Sequence, residues 1–118
     1  MAPQLEVDIS RDGLADVIDV RGELDAASAL ALAGPLTDIA IGGDSHVVLD
    51  LSELSFMDST GMSVLLNARR RLTRQGRHLL VVCPSGPVMR LFELTSLIDT
   101  LRVHQSKNAA LASLDGGG

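Results

Sequence analysis

A chain of 118 residues, 46% hydrophobic and 21% charged, has the size and composition of one globular domain able to bury a core without disulfides or metals. A net charge of -5, with two Phe and neither Tyr nor Trp, argues against a general nucleic-acid surface, which needs clustered cations and rings on which bases stack. No apolar run approaches the roughly 20 residues of a membrane span. "MAPQLEVDIS" has neither the basic start nor the apolar segment of a secretory signal, so a cytoplasmic location is expected.

The first elements follow from hydrophobic periodicity. "LEVDIS" alternates Leu5, Val7 and Ile9 with polar residues, the period of an edge strand with one wet face. After the Arg11-Asp12-Gly13 turn signal, "LADVIDVRG" reads as a second strand, released at Gly22 into the helical stretch "ELDAASALALAGPLTDIAI". Asp25 can cap that helix, and Pro35 should kink it or divide it at Gly34; one bent helix is expected. "HVVLDLS" and "RHLLVVC" are nearly continuous apolar runs, as in parallel strands covered on both faces. "ELSFMD" reads as a loop, followed by a helix from Ser59 to about Gln75 that ends at Gly76. Ser85-Gly86-Pro87 opens a third helix, "LRVH" is a short strand, and "SKNAALASL" a last helix before a flexible glycine tail at 115–118. The order predicts one α/β domain with a mixed β-sheet, parallel crossovers plus an N-terminal antiparallel hairpin, flanked by about four helices. Cys83, the single cysteine, reads as a small buried hydrophobe.

One stretch breaks the apolar pattern. In "FMDSTGMSVLL" an acid, two hydroxyls and a glycine separate two core-like runs at the start of a helix. The first N–H groups of a helix lack internal partners and the macrodipole makes the position hospitable to anions, so Ser59 or Asp58 either caps the helix or holds a phosphate there. On a helical wheel Gly61, Val64, Leu65, Ala68 and Leu72 face the sheet. Met62 and Leu66 align with Ser59 at i, i+3, i+7, with Arg69 adjoining. They form either an exposed apolar stripe or a contact with the first helix. Were the stripe a docking surface, phosphate on Ser59 beside Asp58 would repel an apolar or acidic partner while the helix terminus tolerated the charge.

These residues carry a resemblance. "RGELDAASA", "VVLDLSELSFMDSTGMSVLL" and "LLVVCPSGPVMRLFELTSL", spread over almost the whole chain, resemble the anti-sigma factor antagonists, built on the STAS domain. The resemblance implies a single domain (core about 4–114) with no catalytic activity, no cofactor and no metal. It implies that Ser59, the serine after the motif's aspartate, is phosphorylated by the partner, an anti-sigma factor with serine kinase activity. The unphosphorylated form would bind that kinase and free a sigma factor; phosphorylation would end binding, and a serine phosphatase would restore it. Asp25, in the loop after "GEL", would form part of the docking surface, with Asp58, Thr60, Gly61 and Met62 as neighbours of the phosphosite; Met57 and the wheel residues Leu66 and Arg69 are counted with them as partner-binding. Met62 and Ser63 stand where Leu-Gly often follows the motif's glycine. No membrane or nucleic-acid partner is expected, and the oligomeric state is left between monomer and weak dimer.

Other readings have less in the sequence. A phosphoacceptor receiver would use Asp50 at the end of a buried strand, yet the chain lacks the early acidic pair that would hold Mg²⁺; hydrogen bonding to the following segment explains Asp50. An enzyme would need a phosphate cradle or a triad, but no "GxxxxGK[ST]" run exists and His46, His78 and His104 are scattered. The same fold also serves in stress-signalling assemblies and as a regulatory tail of anion transporters. The absence of an attached transporter or long N-terminal module favours the free-standing antagonist. The Arg69-Arg70-Arg71 run with Arg74 and Arg77 reads either as a solvated helix face or as an attractor for an acidic partner.

Overall fold

Strand β1 (Leu5–Asp12) turns through Gly13, at φ +59°, into β2 (Ala15–Leu24), its antiparallel partner. There follow helix α1 (Ala29–Ile41), β3 (His46–Met57), α2 (Ser59–Arg74), β4 (Leu79–Val82), α3 (Pro87–Thr95), β5 (Val103–His104) and α4 (Lys107–Asp115). This computed structural model describes residues 3–115, and the glycines expected to form a flexible tail lie outside them. The sheet order is β1-β2-β3-β4-β5, parallel from β2 onward. The mixed sheet with its N-terminal hairpin is the architecture expected from the sequence.

Successive crossovers that advance in one direction with one hand place their helices on one face of the sheet. Leu32 and Leu36 of α1, Leu65 and Leu72 of α2, and Val88 and Phe92 of α3 accordingly share a core with Leu49 and Val81. Ala110 of α4 packs on the opposite face against Val17, Val48, Leu80 and Val82. The short α4 covers only part of that face. Beyond it, Asp19, Arg21, Asp50, Ser52 and Glu53 line an open depression. Asp50 accepts there from the backbone N–H of Ser52 at 2.9 Å and from its hydroxyl, the local bonding anticipated for it. Cys83 is buried, and burial, then the charge of Asp50, pushes its thiol up to about 11, so it stays protonated at neutral pH.

Several local expectations are corrected. The segment "ELSFM" is strand: β3 continues to Met57 through two register shifts against β2, between Asp19 and Arg21 and between Gly22 and Glu23. Each shift inserts one residue into β3, so Leu51, Leu54 and Met57 are all buried at a spacing of three instead of two. β2 likewise runs past Gly22 to Leu24; that glycine, at φ +108°, lets the Gln4 carbonyl lie where a Cβ would sit, 2.1 Å away, and accept from Glu23 N. Helix α1 runs through Pro35 as the one helix expected, but its N-cap is Ser28. Asp25 instead fixes the preceding turn, its Oδ1 accepting from the amides of Ala27 at 3.0 Å and Ser28 at 3.2 Å.

The end of α2 holds a further correction. Gly76, at φ +72°, stops the helix as anticipated, but Arg77 is only 4% exposed and belongs to no solvated face. Its guanidinium donates to the carbonyls of Ser45 at 2.6 Å, Ile39 at 3.0 Å and Ala40 at 3.4 Å, and to Gln75 Oε1 at 2.7 Å. It thereby satisfies carbonyls at the end of α1 that lack helical partners.

Candidate functional site

Parallel strands β2 and β3 end side by side, Leu24 paired with Met57, and the Asp58 N–H donates to the Leu24 carbonyl at 3.3 Å. Asp58 is extended (φ -112°, ψ -171°), and its Oδ1 accepts from Gly61 N at 3.1 Å. Of the two capping candidates the structure therefore selects Asp58, a role worth about 1 kcal/mol. Ser59 becomes the first residue of the helix. Its side chain is exposed, as is that of Thr60, and among the described residues its hydroxyl makes no hydrogen bond. The amides of Ser59 and Thr60 stand in the first turn, where no intrahelical acceptor exists.

Gly61 explains how the helix comes so close to the sheet. A Cβ there would lie 2.8 Å from both Leu24 Cγ and Met57 Cγ, inside contact distance. Only glycine lets the first turn of α2 rest on the ends of β2 and β3. Gly61, Met57 and Met62 are buried, so of the two readings left open for Met62 the exposed stripe fails. The wheel misplaced Met62 because the close approach at Gly61 draws the whole first turn inward. Leu66 is half-buried against the core, and Arg69 is half-buried. Of the residues expected to dock a partner, Thr60 is exposed, Asp25, Asp58, Leu66 and Arg69 are partly accessible, and Met57, Gly61 and Met62 are buried.

Asp25 enters the site from β2. Beyond the turn it organises, its Oδ2 accepts from Gln4 Nε2 at 2.8 Å, tying the loop to the chain before β1. Buried Ser28 completes the loop, donating to the Glu23 carbonyl at 2.7 Å and accepting from Asp25 N at 3.0 Å. Asp25 and Asp58 thus stand at the ends of neighbouring strands, one on each side of the strand-end bond at Leu24. On the other flank, between the end of β3 and α3, Phe56, Arg90, Leu91 and Leu94 help line a groove of about 280 Å³. Phe56 is 48% and Leu94 77% exposed. Sequence reasoning missed these residues; the one signal was the spacing of three in β3, which turns Phe56 away from the core. Among the described residues no group of three His, Cys, Asp or Glu is placed to hold a metal ion.

Residues 6–110 match the model of the STAS domain, and the chain belongs to that family. Among curated relatives it is similar to the anti-sigma-B factor antagonist of Staphylococcus aureus, 31% identical over 88 residues that cover 75% of this chain and 82% of that protein. Its fold is similar to that of an anti-sigma factor antagonist from Mycobacterium paratuberculosis, with a TM-score of 0.86 at 24% identity over 95% of this chain and 96% of that one. The Bacillus cell fate determinant SpoIIAA, solved in its phosphorylated form, aligns with a TM-score of 0.71 at 20% identity, covering 92% of this chain and 99% of that one.

Proposed function

We propose that this protein is an anti-sigma factor antagonist that works as a partner switch. Its unphosphorylated form binds an anti-sigma factor with serine kinase activity in the cytoplasm and frees a sigma factor. That kinase phosphorylates Ser59, which ends binding, and a serine phosphatase removes the phosphate. The protein itself catalyses nothing. The observation that carries this reading is the state of Ser59: an exposed hydroxyl, without a hydrogen bond among the described residues, on the first residue of a helix whose cap is supplied by its neighbour Asp58. Phosphate there adds nearly two negative charges, which the free amides and the helix dipole accommodate. The same charges, beside Asp58 and near Asp25, set up like-charge repulsion and a desolvation cost against any apolar or acidic surface docked over them. The names of the family relatives agree with this reading.

The test is to incubate the protein with candidate anti-sigma kinases and ATP and map added phosphate by mass spectrometry. Phosphate is expected on Ser59. In calorimetry Ser59→Ala should bind the kinase as the unmodified protein does, and Ser59→Asp at least tenfold more weakly. Phosphate confined to Thr60, or equal affinity of the two variants, would overturn the assignment.

A further inference from the structure

Helix α2 carries a second exposed surface at its other end, roughly 20 Å from Ser59 along the helix axis. On a chain of net charge -5, Arg70, Arg71 and Arg74 project there without a carboxylate partner among the described residues. Arg71 and Arg74 complement the negative end of the helix dipole, but such a role needs neither a groove nor an apolar neighbour. Both are present. Thr37, Ala40, Ile41, Arg71, Arg74 and Gln75 line a shallow groove of about 510 Å³ between the ends of α1 and α2, and Ile41 is 80% exposed beside it.

The groove is held in shape from below. Arg71 Nη1 donates to Thr37 Oγ1 at 2.9 Å, Gln75 Nε2 donates to the Ala40 carbonyl at 2.8 Å, and buried Arg77 binds Gln75 and the α1 carbonyls. Arg71 is thus pre-positioned at no further ordering cost, while Arg70 holds only Asn67 Oδ1, at 3.4 Å, and Arg74 makes no side-chain hydrogen bond among the described residues, so both can reach a ligand. An exposed apolar side chain ringed by guanidinium groups that have no carboxylate partner is complementary to carboxylates grouped around one aliphatic side chain. We infer that this end of the molecule is a second docking surface, whose partner is an acidic protein segment that seats an aliphatic residue against Ile41. It is separate from the switch at Ser59 and does not depend on it.

The test uses the full chain and a fluorescein-labelled peptide in which one leucine is flanked on each side by two glutamates, read by anisotropy at physiological salt. Replacing the peptide leucine by serine should weaken binding at least fivefold, and Ile41→Ser in the protein should abolish that difference. Arg70→Glu with Arg74→Glu should weaken the leucine peptide at least tenfold, the neutral pair Arg70→Gln with Arg74→Gln severalfold, with circular dichroism unchanged. Ser59→Asp should leave affinity within twofold, which separates this surface from the switch. Equal binding of the leucine and serine peptides would reduce the patch to bare charge attraction and overturn the inference. So would tighter binding to single-stranded DNA or phosphatidylglycerol vesicles than to the peptide, or loss of peptide binding in Ser59→Asp.

Discussion

The two ends of helix α2 treat unpaired backbone groups in opposite ways, the amino end its own first amides and the carboxyl end the last carbonyls of α1. At the amino end one side chain, Asp58, takes one amide, and the hydroxyl of Ser59 bonds to nothing among the described residues. Around the carboxyl end, Gln75 and Arg77 reach across to α1 and take the carbonyls of Ile39 and Ala40, and Arg77 also takes that of Ser45. The first end has spare capacity for a new anion; the second is a closed network in which each group depends on the others. A surface meant to be modified without harm to the fold has to be of the first kind.

The largest difference between the two ends lies at Arg77. Arg77→Ala removes a guanidinium that is 4% exposed and leaves the buried carbonyl of Ser45 and the partly buried carbonyl of Ile39 without their donors. Each abandoned buried acceptor costs ~1–3 kcal/mol, so a loss of about 3 kcal/mol in urea unfolding is expected, with the slope unchanged. Arg77→Lys should recover only part of this, because one ammonium cannot reproduce the planar fork that reaches several acceptors at once. A loss below about 1 kcal/mol for Arg77→Ala would show that the carboxyl end is no more locked than the amino end.

A smaller effect is expected at Gly61, where the amino end does touch the core. Gly61→Ala gains ~1 kcal/mol of helix propensity but forces Leu24 and Met57 aside from a Cβ that would stand 2.8 Å from each, an overpacking cost of ~1–3 kcal/mol. A net destabilisation of about 1 kcal/mol should appear in thermal unfolding. A stabilised variant would mean that the first turn has room to lift off the sheet, and that Gly61 does not fix the height at which Ser59 is presented.

What was legible in the sequence follows the same division between local and long-range causes. Apolar runs, the Gly13 turn, the Gly76 stop and the Asp58-Ser59-Thr60-Gly61 interruption are local signals, and they placed the strands, the helices and the candidate modification site. The strand from Glu53 to Met57 was illegible because its bulges convert a period of two into a period of three, which reads as a loop. Arg77 was illegible because its four acceptors come mostly from α1 and the turn after it, more than thirty residues away in the chain. Met62 was misplaced for a related reason: a helical wheel assumes a uniform distance from the core, whereas Gly61 brings the first turn closer than the rest. The groove beside Phe56 and Leu94 needs the same tertiary information, since β3 and α3 meet there only in the fold.

The smallest expected effect is the most informative about the proposed switch. Ser59→Asp places a carboxylate in the first turn of α2, where the dipole favours it by ~0.3–1 kcal/mol, and sets it beside the Asp58 carboxylate, which opposes it by a similar amount in solvent. The serine hydroxyl it removes holds no hydrogen bond among the described residues, so nothing structural is forfeited. Stability to urea should therefore stay within about 0.5 kcal/mol of the parent chain. A loss above about 1 kcal/mol would place Ser59 in the same class as Arg77, and weak partner binding by Ser59→Asp would then report a damaged fold. An unchanged midpoint leaves charge at the surface as the cause of release, because the partner would be meeting an intact domain that differs only in its field.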